Sequence, residues 1–112
     1  VIQDTLREFG IGKNYISQKR TVVVIQLALE DEDRLLRVKK GIYIPAAEMC
    51  DCTWSAVERN IRMVVEKAWK VNRDGLVKMA GYPMSEPPTA SEFIEIMVYH
   101  LQKKLAVASH GK

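Results

Sequence analysis

Apolar and polar residues repeat with a helical period between Trp54 and Lys70. With each residue turned by about 100° from the one before, one face collects the apolar side chains of Val57, Ile61, Val64, Val65 and Ala68. The opposite face collects Ser55, Arg59, Arg62, Met63, Glu66 and Lys70. The pattern predicts an amphipathic helix whose apolar face packs on a core.

The segments before this helix have weaker patterns. The apolar positions from 14 to 30 extend beyond the length of a strand, so we predict a helix there, although the β-branched run Thr21–Ile25 would also fit a strand. Gly10 is the expected end of a first helix. The acidic run at 30–33 suits a turn followed by the start of a short helix, which we expect Gly41 to end.

The segments after Lys70 contain clear breaks. Val71–Gly75 interrupts the helical pattern, and Leu76–Ala80 reads as a brief helix closed by Gly81. Three prolines make Tyr82–Pro88 a loop. The spacing of Thr89 and Glu92 is that of a capping box, which predicts the start of a final helix.

These elements predict an all-α fold, a single compact domain of about six helices. We assign the 112-residue chain to one helical domain over residues 1–105 and to a frayed tail over Ala106–Lys112. No apolar run approaches the roughly 20 residues that a membrane span needs, and there is no signal-peptide pattern. We therefore expect a soluble, cytoplasmic protein that does not contact a membrane. Since the sequence does not begin with Met, we expect it to be a fragment of a longer protein.

The net charge of +3 is concentrated in one segment. Residues 54–73 hold five basic and two acidic side chains, whereas the segments on either side are electrically balanced. This distribution is expected of a helix that meets phosphate. A solvated surface would also fit, with Glu58 paired to Arg62 and Glu66 to Lys70 at i, i+4, each pair contributing roughly 0.2–0.5 kcal/mol.

The segment upstream of the basic helix favours the interpretation that this helix meets phosphate. Pro45–Cys50 predicts a compact helix, Asp51–Thr53 a tight turn, and Thr53 the N-cap of the helix that begins at Trp54. A short helix, a turn and a longer helix with a basic outer face are the parts of a helix-turn-helix, placed at about residues 44–71.

In that motif the outward residues near the start of the second helix reach the edges of DNA bases. Ser55, Arg59 and Arg62 occupy those positions. Arginine donates two hydrogen bonds to guanine, and glutamate accepts one from cytosine. Lys70 lies on the same face about three turns further along, where we expect only the DNA backbone to be in reach.

No pattern of an enzyme or of a metal site is present in the sequence. Cys50 and Cys52 are separated by one residue, and His100 and His110 lie about fifty residues away, so four metal ligands are not expected to meet. The sequence has no glycine-rich phosphate loop and no paired catalytic carboxylates. We therefore expect no catalytic residue, no metal and no cofactor.

Several short motifs resemble those of a known family, the C-terminal DNA-binding domain of the sporulation response regulator (stage-zero sporulation protein A). The matching pieces, in family order and spacing, are Val57-Glu-Arg59 followed by Ile61-Arg62, then Ala68-Trp69, Gly81-Tyr82 and Ser91-Glu-Phe-Ile94. The resemblance covers nearly the whole chain.

The resemblance implies a transcription regulator that binds double-stranded DNA, the effector half of a two-component system controlling sporulation-type genes. It implies an upstream phosphoacceptor receiver domain, head-to-tail dimers on tandem DNA sites, and contact with the RNA polymerase sigma subunit. The residues that it assigns to DNA recognition are Glu58, Arg59 and Arg62; with Ser55, Thr53 and Lys70 they form the predicted DNA-binding set.

One alternative remains open. A helical protein-interaction module that kept the fold but lost DNA binding would present the same helix face to an acidic partner. Trp54 also stands where the family usually has a small residue. We expect it to pack beneath the turn, the other choice being a position near the DNA backbone.

Overall fold

A computed structural model describes residues 2–12 and 16–110 of the chain. Its helical elements, in chain order, are α1 (Ile2–Arg7), α2 (Ile16–Glu30), a 3-10 helix (Glu32–Arg37), a π-helical segment (Lys39–Tyr43), α3 (Ile44–Cys50), α4 (Trp54–Ala80) and α5 (Ala90–His110). The described ranges contain no strand, so the predicted all-α class is confirmed. None of the helices in these ranges is long and apolar enough to span a membrane.

The core lies between α2, α4 and α5, with α1 and the turn after it packed against them. Thr21–Ile25 is helical, so its β-branched residues serve the core of a helix bundle rather than a sheet. The largest fully buried side chains come from every part of the chain and include Phe9, Ile25, Ile42, Ile61, Leu76, Phe93 and Met97. The predicted start of α2 at Asn14 lies outside the described residues.

The prediction that Gly41 ends a helix is wrong. The chain passes through Gly41 inside the π-helical segment and continues directly into α3. A Cβ atom at this position would lie 3.0 Å from the carbonyl oxygen of Arg34, and Arg34 Nη1 donates a 2.7 Å hydrogen bond to the carbonyl of Gly41. A side chain here would crowd the backbone of Arg34, so glycine suits this position because two backbone segments approach closely and not because a helix stops.

The break predicted at Val71–Gly75 is a kink inside α4. Asn72 leaves the helical conformation, with φ −150° and ψ 65°, and its side-chain Oδ1 accepts a 3.0 Å hydrogen bond from the backbone nitrogen of Gly75. Asn72 therefore acts as an N-cap in the middle of the helix. We call residues 54–71 the first segment of α4 and residues 73–80 its second segment.

Both ends of the loop before α5 agree with the sequence prediction. Gly81 adopts φ 79° and donates its N–H to the carbonyl of Val77. Thr89 and Glu92 form the reciprocal capping box, each side chain accepting from the other's backbone nitrogen at 3.1 and 2.9 Å. Helix α5 extends to His110 and so includes part of the 106–112 segment that we predict to fray.

Candidate nucleic-acid interface

The turn between α3 and α4 is fixed by its own backbone. Asp51 adopts the left-handed conformation, with φ 54° and ψ 52°, and directs its N–H back to the last turn of α3. Cys52 donates to the carbonyl of Ala47 at 3.0 Å, and the hydroxyl of Thr53 accepts from the backbone nitrogen of Ala56 at 3.2 Å. The buried, small Ala46 and Ala47 allow close packing of α3 against the core. Helix α4 therefore starts in a defined direction.

The first segment of α4 has the two faces that its sequence predicts. The five apolar residues of the inner face are all buried: Val57, Ile61, Val64, Val65 and Ala68. The six residues of the outer face are all exposed: Ser55, Arg59, Arg62, Met63, Glu66 and Lys70. The basic side chains that the helix carries on this face are thus free of the core and available to a partner.

The two outward arginines are held differently. Arg62 Nη2 lies 3.7 Å from Glu58 Oε1, with more than half of the Arg62 side chain exposed, so the pair contributes well under about 1 kcal/mol to stability. Arg59 and Lys70 have no side-chain partner among the described residues, and Glu66 forms no ion pair with Lys70 there. Of the two pairs expected for a merely solvated surface, the structure contains one.

Residues 2–101 match the family model described as sporulation initiation factor Spo0A C terminal. The chain belongs to this family. The Spo0A C-terminal family consists of helical DNA-binding domains of sporulation transcription regulators, and the match covers every element from α1 to the middle of α5. The resemblance stated from the short motifs is confirmed. It is a family of regulatory domains and not of enzymes.

In this member of the Spo0A C-terminal family, Tyr43 is buried and its phenol interacts electrostatically with Glu58. Burial, and secondly the Glu58 carboxylate, raise the pKa of the Tyr43 phenol, while a hydrogen bond with the Ser91 side chain and the charge of Arg62 oppose this. The phenol is therefore neutral at physiological pH. The buried Tyr43 is thus close enough to Glu58 and Arg62 to respond to their charges, although it belongs to a different element, a proximity that no local sequence pattern reveals.

A second feature of this domain that sequence reasoning missed is the position of Lys39. Its Nζ lies 4.1 Å from the centroid of the Trp54 ring, at the start of α4, and Trp54 is 36% exposed. Trp54 is therefore not packed away beneath the turn. The two residues are fifteen positions apart and belong to different elements, so their contact depends on the path of the π-helical segment.

The cysteines of the turn are free thiols, both half-buried. Burial raises the pKa of the Cys50 thiol, and the neighbouring Cys52 adds to this, against the charge of Arg20. Cys50 is thus mostly protonated at neutral pH, and the protonated thiol is the poorer nucleophile. Within the ranges that the structure describes, no three His, Cys, Asp or Glu residues converge as metal ligands.

Proposed function

We propose that this chain is the sequence-specific DNA-binding effector domain of a two-component response regulator that controls sporulation-type genes. The observation that carries the proposal is the first segment of α4, which follows a capped turn and exposes two arginines in its N-terminal half. The family to which the chain belongs supports the same role. A helix of this kind enters the major groove with its N-terminal residues against the bases.

The proposed roles follow from how each side chain is held. Arg59, with no partner in the described part of the chain, is free to form a two-hydrogen-bond contact with guanine. Arg62 reaches the groove one turn later, and Glu58 both orients it and can accept a hydrogen bond from cytosine. Ser55 is the short polar contact nearest the start of the helix.

Two further residues are proposed to hold the DNA backbone. Thr53 uses its hydroxyl oxygen to cap the helix, and that oxygen also lies 3.2 Å from the Ser55 hydroxyl. Only one of the two hydroxyls donates in that contact, so the hydrogen of the other is available to a phosphate oxygen. Lys70 lies eleven residues after Arg59, about 16 Å further along the helix. At that distance from the N-terminal residues that read bases, we expect it to reach only the DNA backbone. An ammonium group there adds phosphate attraction without sequence preference.

The wider assembly belongs to the same proposal. We propose a cytoplasmic protein with an upstream phosphoacceptor receiver domain, which pairs head to tail on tandem DNA sites and contacts the RNA polymerase sigma subunit. The domain itself would act by binding, with no catalytic step, metal or cofactor, and with no membrane contact. Residues 1–105 would form the functional unit.

The test is selection of duplexes from a randomised pool, followed by an anisotropy titration of the selected duplex across a salt series. We expect an enriched sequence and a linear fall of log affinity with log salt, because phosphate contacts release counterions. A scrambled duplex of the same composition is the control. Absence of any retained duplex at low salt would favour the protein-interaction module instead.

A further inference from the structure

An open cleft with a volume of about 750 Å³ lies between the second segment of α4 and the middle of α5. Lys78 lines it on the α4 side, Lys103 and Lys104 on the α5 side, and Glu8 in the turn after α1. Small-molecule sites usually measure about 300–1,000 Å³ and combine mostly apolar walls with a few convergent polar groups. This cleft has the size and the make-up of such a site.

The charged groups of the cleft favour an anion. Lys78, Lys103 and Lys104 are all exposed and form no ion pair within the described residues. The Lys103 ammonium lies 5.0 Å from the Tyr99 ring centroid, an interaction that leaves its charge uncompensated. Glu8 is the single carboxylate among the described lining residues. The cleft therefore carries an excess of positive charge, although the flanking segments of the sequence are electrically balanced.

The remaining wall adds a hydrogen-bond donor and an apolar surface. Asn72 is anchored by its Oδ1, which accepts from Gly75, and its Nδ2 has no acceptor in the described part of the chain. A Cβ atom at Gly75 would lie 2.4 Å from that Nδ2, so glycine is what allows the amide to occupy this position. Met79 and the lysine stems supply apolar area. The cleft thus offers donors and positive charges to one ligand, with room for a small organic part.

The cleft is well separated from the face proposed to read DNA. Lys78 follows Arg59 by nineteen residues, about 28 Å along a helix that is also kinked at Asn72. Arg59 and Lys78 therefore lie near opposite ends of α4 and on different sides of the kink. A ligand of the cleft need not be the same nucleic acid.

We propose that this cleft binds a small phosphorylated metabolite of about the size of a mononucleotide, whose phosphates lie between Lys78, Lys103 and Lys104. All the outer oxygens of a phosphate group accept hydrogen bonds, and its negative charge is opposite to that of the lysines. Lysine is also a regular phosphate-binding residue. Asn72 donates to the same phosphates or to the adjoining sugar.

His100 provides a direct reporter of occupancy. It lines the cleft, and its Nε2 is buried without a hydrogen-bond partner. Burial and then Lys104, with a smaller contribution from Lys103, lower the pKa of the imidazole, against the opposing charge of Glu8. Lys78 faces the same cleft from α4. A phosphate bound among these lysines would stabilise the imidazolium, so the pKa of His100 would rise on binding.

The experiment titrates ADP into the whole chain at constant ionic strength, by calorimetry and by NMR of the histidine ring protons across a pH series. Adenosine is the uncharged control. We expect ADP to bind with a Kd below about 1 mM, adenosine to bind at least tenfold more weakly, and the pKa of His100 to rise with ADP alone. These three results on the parent chain do not depend on any variant folding.

A matched pair of triple variants then locates the site. Changing Lys78, Lys103 and Lys104 to Gln should weaken ADP binding at least tenfold, whereas changing the exposed Lys19, Arg37 and Lys40 to Gln should leave it within twofold. Equal losses in both variants would show non-specific charge attraction and overturn the proposal. So would adenosine binding as tightly as ADP, or ADP binding without a rise in the pKa of His100.

Two competing occupants are separated by the same variants. If a hexaglutamate peptide bound the parent more tightly than ADP and lost its affinity in the Lys78, Lys103 and Lys104 variant, the surface would serve an acidic protein. If that variant instead bound all duplexes more weakly, whatever their sequence, the cleft would be part of the DNA interface. Either result would overturn the assignment to a small phosphorylated ligand.

Discussion

The two segments of α4 begin in the same way and present different surfaces. Thr53 caps the first segment through the N–H of Ala56, and Asn72 caps the second through the N–H of Gly75, each at the third residue after the cap. The first segment then exposes a row of charged side chains, whereas the second buries Leu76 and Met79 and forms one wall of the cleft. A single non-helical residue is enough to divide one long helix between the two surfaces proposed to bind ligands.

The largest expected effect tests whether the two segments belong to one folding unit. Ile61 and Leu76 are both fully buried, one in each segment. Ile61→Ala and Leu76→Ala should each lower the free energy of unfolding by about 2–5 kcal/mol, because each leaves a cavity in the shared core. Urea denaturation measures both, with the exposed Met63→Ala as a control expected to stay within about 0.5 kcal/mol. A cost near zero for Leu76→Ala would mean that the second segment unfolds separately.

The next effect separates base recognition from phosphate contact within the first segment of α4. Arg59→Ala should weaken binding to the selected duplex by about 1–3 kcal/mol and relax the preference at one base pair. Lys70→Ala should weaken all duplexes by a smaller, similar amount and reduce the salt slope by about one. Anisotropy titrations against the selected duplex, a single-base variant and a scrambled duplex separate the two. If Arg59→Ala lowered all three affinities equally, Arg59 would be a phosphate contact.

Removing either of the two helix caps should have an effect of intermediate size on stability. Thr53→Ala and Asn72→Ala each remove a side-chain acceptor for a helical N–H and should cost about 0.5–2 kcal/mol of stability. Thr53→Ala should in addition weaken duplex binding, whereas Asn72→Ala should leave duplex binding unchanged, since only Thr53 lies at the proposed DNA surface. Thermal melting and anisotropy on the same samples measure both quantities. Weaker duplex binding by folded Asn72→Ala would show that the kink also positions the first segment.

The smallest expected effect is a pH dependence at His100, in the α5 wall of the cleft that the second segment also lines. The pKa of His100 is lowered in the folded chain, chiefly by burial, so folding opposes its protonation. Its contribution to stability is complete above the ordinary value of 6.5 and is lost as the pH falls below it. His100→Gln should therefore lose less stability than the parent between about pH 8 and about pH 5, in buffers without phosphate. Parallel stability profiles of the two proteins would contradict this.

The parts of the fold that were predictable from the sequence are those in which a repeating pattern and a cap agree. The first segment of α4 has a continuous stripe and the Thr53 cap, and the start of α5 has its capping box, so both were placed correctly. The prediction at Gly41 was wrong because the sequence alone does not distinguish a glycine that ends a helix from one that allows another backbone segment to approach. The contact of Arg34 with Gly41 decides between them, and it exists only after folding.

The candidate site divides in the same way. The exposure of Arg59, Arg62 and Lys70 follows from helical geometry alone, and the family motifs point to the same helix. The Lys39–Trp54 contact and the electrostatic interaction of Tyr43 with Glu58 depend on how the π-helical segment packs against α4. Side chains brought together from separate elements leave no periodic signal, and the cleft at His100 was missed for that reason.

The kink at Asn72 also has a consequence for how such a domain can change in length. In an uninterrupted helix, one inserted residue rotates everything beyond it by about 100°, which would turn Leu76 and Met79 out of the core. A non-helical residue with its own cap resets the helical phase, so an insertion or deletion beside Asn72 can be absorbed where the chain already leaves the helix. The first segment keeps its orientation while the second, with the cleft it lines, is free to diverge.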